Sequence, residues 1–471
     1  MNKTILLKDI KLLLRDLKIQ IFFGLLVVLF LLAAVSGASS YKANVEAYQN
    51  RFNAHQDKKF SETDYICMDL VSNTGRITVI DKPSPALLFS SYENYPNIVR
   101  SRVGYYIPEF DFYATNTRNA FSLNWYFILG ILCGFLMLIM SFESVSKEKI
   151  AGTLRLLSIY GMKRQSLLWY KFFSYIILYL IITIIPAILS LLLFFALTGT
   201  WSGLVVCQFA LMIIFSIPFA SFFIFLGILI SMNKNYRNNI IMVVFFWLLF
   251  VIIIPQSANI FGKIISPTLT SAEYRNKMYQ ACRVVEDEWL GKHGVAAAGN
   301  GSLENGIRAG YVNARDEAQF LSRQAEQEDY KKQSNTIQLI ANLSPFNQFE
   351  KISEVIFDKG DYLFSHAETT VNNTIPTVRN LLTEQDKEDE TSLHLFYSWA
   401  DSDRYAVNSR GLTPFTQGKF ANPDLLFVSS IPTDDFGVKT VKVLLRLLPI
   451  LILNFVVIVV SVLKLERLDI R

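Results

Sequence analysis

The sequence predicts a mainly α fold: a polytopic membrane protein with six transmembrane helices, an N-terminal amphipathic helix and two extracytoplasmic insertions, the first a smaller mixed lobe and the second a larger, mainly helical one. Three observations predict it. About half of the 471 residues are apolar (52%) and the mean hydropathy is positive. Several apolar runs exceed the ~18 residues at which a stretch reads as a membrane-crossing helix. Lysine and arginine gather in the segments between runs, the bias that marks cytoplasmic loops. Together these exclude a soluble enzyme. The net charge of +5 is small for this length and reports topology rather than a nucleic-acid partner.

Residues 1–18 carry Leu6, Ile10, Leu13 and Leu17 at helical spacing with Lys8, Lys11, Arg15 and Lys18 elsewhere around the helix, the pattern of an interfacial amphipathic helix. A basic start followed by an apolar run that ends at Ala38-Ser39 also fits a signal peptide. The amphipathic leader and the length of the run favour an uncleaved first span at 19–37. The smaller lobe follows at 38–122. Tyr41, Val45, Tyr48 and Phe52 keep helical spacing, so the first helix is expected to continue beyond the membrane. From Asp64 the chain is rich in Pro, Asn, Ser and Tyr, with short β-like stretches such as Gly75 to Ile80.

A second span at 123–142 leads into 143–171, a charged and amphipathic segment between two apolar runs. Reaching the bilayer at both ends, it is expected to lie on one membrane face as a short helical hairpin bent at Gly152 and Gly161. Lys147, Lys149, Arg155, Lys163, Arg164 and Lys171 put that face in the cytoplasm. Ile150, Leu154 and Leu157 form an apolar stripe flanked by Glu148, Arg155 and Ser158. Composition alone is met equally well by a helix lying in lipid headgroups and by one that docks on a partner.

Spans at 172–197 and 203–232 each contain a proline, Pro186 and Pro218, expected to kink helices whose neighbours satisfy the freed carbonyls. The basic loop Asn233 to Asn239 is cytoplasmic, and a fifth span occupies 240–257. The larger lobe is 258–440. In it, Met278, Cys282, Val285 and Trp289 share one helical face, and a Gly/Ala-rich connector follows at Gly291 to Gly301. A polar helix is expected over Asn305 to Ala341, its narrow stripe of Ala318, Leu321 and Ala325 suited to an antiparallel hairpin. Further helices are read at Phe346 to Phe357 and Asp361 to Thr383, then an acidic linker at Glu384 to Thr391 and a proline-marked loop at Arg410 to Gly437. The sixth span is 443–463, with a short basic tail at 464–471. Lys439, Lys442 and Arg446 make a basic face at its outer boundary, against the positive-inside bias. Either they snorkel or pair with Asp434 and Asp435, or they contact an anionic lipid or substrate.

Sites for chemistry are sparse. Gly411 to Phe420 has the wrong glycine spacing for a phosphate loop and lacks the Ser/Thr after the lysine. The four histidines pair with no other His or Cys at metal-ligand spacing, so no metal is expected. Acidic residues are nearly absent from the spans, which argues against a proton-driven carrier. Cys133 and Cys207 lie in apolar runs as packing residues. Cys67 and Cys282 fall in the two external insertions and are candidates for a disulfide between them.

The order Glu148, Gly152-Thr153-Leu154, Leu156-Leu157-Ser158 and the basic pair Lys163-Arg164 ahead of the third span resembles the first cytoplasmic loop of ABC-2 type (type V) ABC transporter permeases. The N-terminal helix resembles the elbow helix of that family. Pro83 to Val99 resembles a proline-marked element in the subset with large extracytoplasmic insertions of unknown function. The resemblance implies a multi-pass permease subunit of an ATP-driven exporter in a bacterial inner (cytoplasmic) membrane. A separate ATPase subunit would hold ATP and Mg, this chain binding no cofactor, and a second permease subunit, identical or related, would face it. Glu148, Gly152, Thr153, Leu154, Leu157 and Lys163 would couple hydrolysis to outward movement of a substrate. An alternative keeps the ATPase but uses the external domains to act on an extracytoplasmic partner protein without transport; a sensor with no ATPase is a third.

Overall fold

The computed structural model describes residues 3–60, 76–80, 83–88, 98–102, 110–112, 123–150, 152, 164–233, 236–293, 305–388, 425, 427–428 and 431–466. The fold is mainly helical and polytopic. Six helical stretches are long and apolar enough to cross a membrane: Leu17–Asn50, Phe127–Ile150, Gln165–Thr198, Gly203–Ser231, Asn238–Ile265 and Phe436–Glu466. The second and fourth are the most buried, and the fifth and sixth are mostly exposed. An exposed apolar helix is stable only where lipid replaces water around it.

Helix α1 (Lys3–Arg15) breaks at Asp16, whose carboxylate accepts the Lys18 backbone N–H at 3.1 Å and so starts α2 (Leu17–Phe60). Leu13 packs against the bundle while Leu7, Leu12 and Leu17 remain exposed, as on a helix that rests at a lipid surface. α2 has 44 residues. At 1.5 Å per residue it is roughly 66 Å long, about twice the thickness of a hydrocarbon core.

The second span opens with a π-helical turn (Phe127–Cys133) and continues as α3 (Gly134–Ser141); α4 (Ser146–Ile150) follows a tight turn. The third and fourth spans are α5 (Arg164–Thr198) and α6 (Gly203–Ser231), each continuous through its proline. α3 and α6 approach backbone to backbone: a Cβ on Gly227 would collide with the Ser141 hydroxyl and lie 3.0 Å from the Leu138 carbonyl oxygen. Small residues at such crossings let membrane helices pack closely. The fifth span is α7 (Tyr236–Leu248), a second π turn (Leu249–Ile253) and α8 (Ile254–Ile265).

Beyond it, α9 (Ser271–His293) and α10 (Asn305–Ala341) pack on each other, and the end of α10 runs back along α8. Gln333 donates to the Ser266 carbonyl at 2.8 Å, and Tyr274 donates to Asp329 at 3.0 Å. α11 (Pro345–Phe357) and α12 (Gly360–Glu388) come next, and α13 (Phe436–Glu466) is the sixth span.

Three features differ from the sequence expectation. α11 was expected in the outer lobe but lies inside the bundle, packed on α6, α13 and both π turns. Phe349, Ile352, Val355, Ile356 and Phe357 are all buried in the same core as the spans, because their helical spacing offers an apolar face that a polar lobe would not cover. The insertions are also not separate. Strands β1 (Arg76–Ile80), β2 (Ile98–Arg102) and β3 (Phe110–Phe112) of the first pair antiparallel, and β4 (Phe427–Val428) of the second joins β1 in parallel, giving the order β3-β2-β1-β4. Finally, the acidic residues 384–388 continue α12 rather than starting a linker. Leu88, in a 3₁₀ turn at Pro85–Leu88, is fully buried against α2 and fastens the first insertion to the first span.

Candidate functional site at the N-terminal end of the bundle

The segment singled out by its charge pattern begins where the second span ends. The Ser231 hydroxyl at the foot of α6 accepts the Val145 backbone N–H at 3.2 Å and lies 3.4 Å from the Ser144 hydroxyl. This pins the turn that launches α4. Glu148 is ion-paired with Lys171 of α5, and Lys171 also reaches Asp9 of α1 at 3.1 Å. Lys18 of α2 pairs with Glu143 at 3.2 Å. Three chain segments distant in sequence are thereby tied at one end of the bundle. Glu148 acts within the chain, bracing α4 against the base of the third span.

Ile150 is 79% exposed, and Gly152 follows at φ +72°, a left-handed conformation that a side chain disfavours. Thr153, Leu154, Leu157, Lys163 and Gly161 lie outside the described residues. Beside the brace, between α1 and the ends of the first three spans, is a cleft of about 480 Å³. Its mouth carries Arg15, Asp16, Lys18 and Lys147; its floor carries Ile19, Phe22, Ile139 and Met140.

The opposite end is closed by a second charge network. Lys439 pairs with Asp358 at 2.6 Å, and Lys442 pairs with Asp434, which also accepts Tyr362 Oη at 2.6 Å and lies 3.5 Å from His366 Nε2. Arg446 donates to the Lys351 carbonyl at 2.8 Å. The basic face on the sixth helix is thus engaged by groups of this chain, Asp434 among them. Hydrogen bonds from Lys442 and Tyr362 hold the Asp434 carboxyl below its ordinary value.

Within that network, Glu354 on α11 is 3% exposed and pairs with Lys351, which also pairs with Asp361. Burial pushes the Glu354 carboxyl up to about 7, the attraction of Lys351 opposing it. Burial pulls Lys351 down, but Glu354 and Asp361 together carry it above the usual lysine value. Gly360, at φ +60°, is required here, since a Cβ would lie 2.6 Å from the Glu354 carboxyl carbon.

Sequence reasoning read α11 as a helix but did not place it inside the bundle. Ser344 caps it, accepting the Asn347 N–H at 3.2 Å while its hydroxyl donates to the Phe250 carbonyl in the π turn of the fifth span. Phe349 stacks on Phe219 at 4.9 Å, and Gln208 of the fourth span donates to the Ile356 carbonyl at 2.7 Å. A Ser-Pro start followed by apolar residues at three- and four-residue spacing marks the helix but not the surface that covers it. π turns recur at functional positions in helices, and here both face the same inserted helix. Cys282 carries a free thiol on α9; Cys67, the other candidate for a disulfide, lies outside the described residues. Among the described residues no group of His, Cys, Asp and Glu could hold a metal.

Residues 3–372 match the family described as "ABC-2 family transporter protein". The chain belongs to the ABC-2 transporter family. The match begins in α1, takes in the first five spans, both π turns and α11, and ends within α12. As a member it is a membrane permease component, a transport rather than a catalytic chain. No curated protein and no solved structure matches it.

Proposed function

We propose that this ABC-2 permease is the membrane-spanning subunit of an ATP-driven exporter, with the α1 end in the cytoplasm and a separate ATPase subunit docked on residues 143–171. The observation that carries the reading is the build of that end. A rigid brace at Glu148, Lys171 and Asp9 adjoins an exposed Ile150 and a glycine-only bend at Gly152. A docking surface must be both accessible and mechanically tied to the spans, and Ser146–Ile150 is tied at Glu148 and exposed at Ile150. ATP and Mg sit on the partner; Gly152, Thr153, Leu154, Leu157 and Lys163 face it. Glu148 transmits its motion to the third span. A second permease subunit completes the path, and α11, gripped by four spans, moves as they move. The chain resides in a bacterial inner membrane with its insertions outside.

One observation favours the mechanotransmission reading as the second choice. The first span continues unbroken through α2, Leu88 of the first insertion packs on it, and β4 joins the two insertions in one sheet. Such a body can act as a lever on an extracytoplasmic partner. Reconstitution with the ATPase in vesicles tests the choice. Exporter function predicts ATP-dependent loss of a labelled substrate pool from the ATPase side; hydrolysis with no movement of any exported candidate, together with capture of an external protein, favours the lever.

A further inference from the structure

The cleft beside α1 stacks its chemistry in one direction. Charged side chains ring the mouth, and Phe22, Ile139 and Met140 form the floor, one or two turns further into the spans. The exposed Leu7, Leu12 and Leu17 on and beside α1 mark the same level as a lipid surface. Lys171 is taken up by Asp9 and Glu148 and closes the back of the cleft. Arg15 and Lys147 have no ion-pair partner among the described residues, and Lys18, although paired with Glu143, keeps its side chain 65% exposed. Cations above an apolar floor are the order of a phosphate headgroup above its acyl chains. Four basic and four acidic residues line the cleft (Arg15, Lys18, Lys147, Lys171; Asp9, Asp16, Glu143, Glu148), so its balance suits a headgroup that carries both charges.

We propose that this cleft is a phospholipid site: the phosphodiester lies among Arg15, Lys18 and Lys147, and an acyl chain runs over Phe22, Ile139 and Met140. Bound there, the lipid bridges α1 to α4 and stiffens the segment next to the docking surface. Its assignment to the cytoplasmic leaflet and its place beside the docking surface rest on the function proposed above; the lipid site itself does not.

Native mass spectrometry of the full chain, released from nanodiscs of phosphatidylethanolamine with added diacylglycerol, tests the site. One phosphatidylethanolamine is expected to stay bound, with diacylglycerol retained far less. Losing two charge-assisted phosphate contacts in Arg15→Gln/Lys147→Gln should lower retention about tenfold or more. Met140→Trp, which fills the floor and leaves every charge in place, should do the same. Equal retention of diacylglycerol, or undiminished retention in both variants, means annular lipid only and overturns the proposal. Glycerol 3-phosphate competing as well as the intact lipid also overturns it, in favour of a soluble phosphate ligand. Should the double variant fail to assemble, the comparison of the two lipids on the native chain still decides.

Discussion

At the insertion end of the bundle, α11 is held on all sides: Phe349 is stacked on Phe219, Glu354 is enclosed beside Gly360, and Lys439, Lys442 and Arg446 are each bonded within the chain. At the N-terminal end, α1 touches the spans beside a cleft, Ile150 is exposed, and Gly152 takes a left-handed conformation. Both ends carry charge networks, but they do different things. The network at the insertion end closes on itself; the one at the N-terminal end holds Glu148 two residues from the exposed Ile150. Charge alone therefore does not mark a binding surface. In the docking surface proposed above, charge positions an exposed apolar residue.

Five substitutions sharpen this contrast, the first with the largest effect. Phe349→Ala removes a fully buried ring from between four spans and should destabilise the detergent-solubilised chain by ~3–5 kcal/mol, read as a large drop in thermal midpoint. Ile150→Asp, at the bare end, should leave that midpoint in place; an equal drop would mean the two ends are not distinct. Glu148→Lys sets a like charge against Lys171 and breaks the brace, at about 2 kcal/mol for a partly buried pair. ATPase turnover by the assembled complex should persist while transport falls, and full coupling in that variant would remove Glu148 from the transmission path.

Glu354 gives a pH signature. Its folded-state value of about 7 exceeds the ordinary carboxyl value, so the folded chain binds a proton that the unfolded chain releases. Stability from this group is present at low pH and is lost as pH rises towards and through about 7. Stability should therefore climb as pH falls from about 8 to about 5.5, by on the order of 1 kcal/mol per pH unit and read as a rising thermal midpoint, and Glu354→Gln should flatten that slope. The smallest effect is expected at Arg446. Arg446→Gln loses one hydrogen bond to the Lys351 carbonyl, about 1 kcal/mol, with transport unchanged. Impaired transport with stability intact would restore a direct role in contacting an anionic ligand.

Much of the architecture was legible because membrane spans are written as long apolar runs, and because caps and glycines punctuate the polar helices. The polar helix expected at Asn305 to Ala341 is α10, and a helix expected at Phe346 to Phe357 is α11. The location of α11 was not legible. Its apolar spacing requires a covered face but does not say which surface covers it, and hydropathy gives no reason to place 13 residues inside a bundle. The β1–β4 pairing was hidden for a related reason: strands this short, separated by more than 300 residues of chain, carry no local sign of each other. At the candidate site, the spacing of Glu148 and Gly152 was informative about place but not about role. A glutamate beside an apolar stripe reads as a partner contact until Lys171, shared with Asp9 of α1, is seen to hold it.

The most direct test of the account is purification of this chain in mild detergent from its native membrane, asking whether an ATPase subunit accompanies it in near-equal amount. The account predicts that it does, that Leu154→Asp/Leu157→Asp abolishes the association, and that Glu354→Gln leaves it intact. A chain that purifies alone, in detergent and again in nanodiscs, would contradict the docking of an ATPase at the N-terminal end and turn the reading towards a sensor.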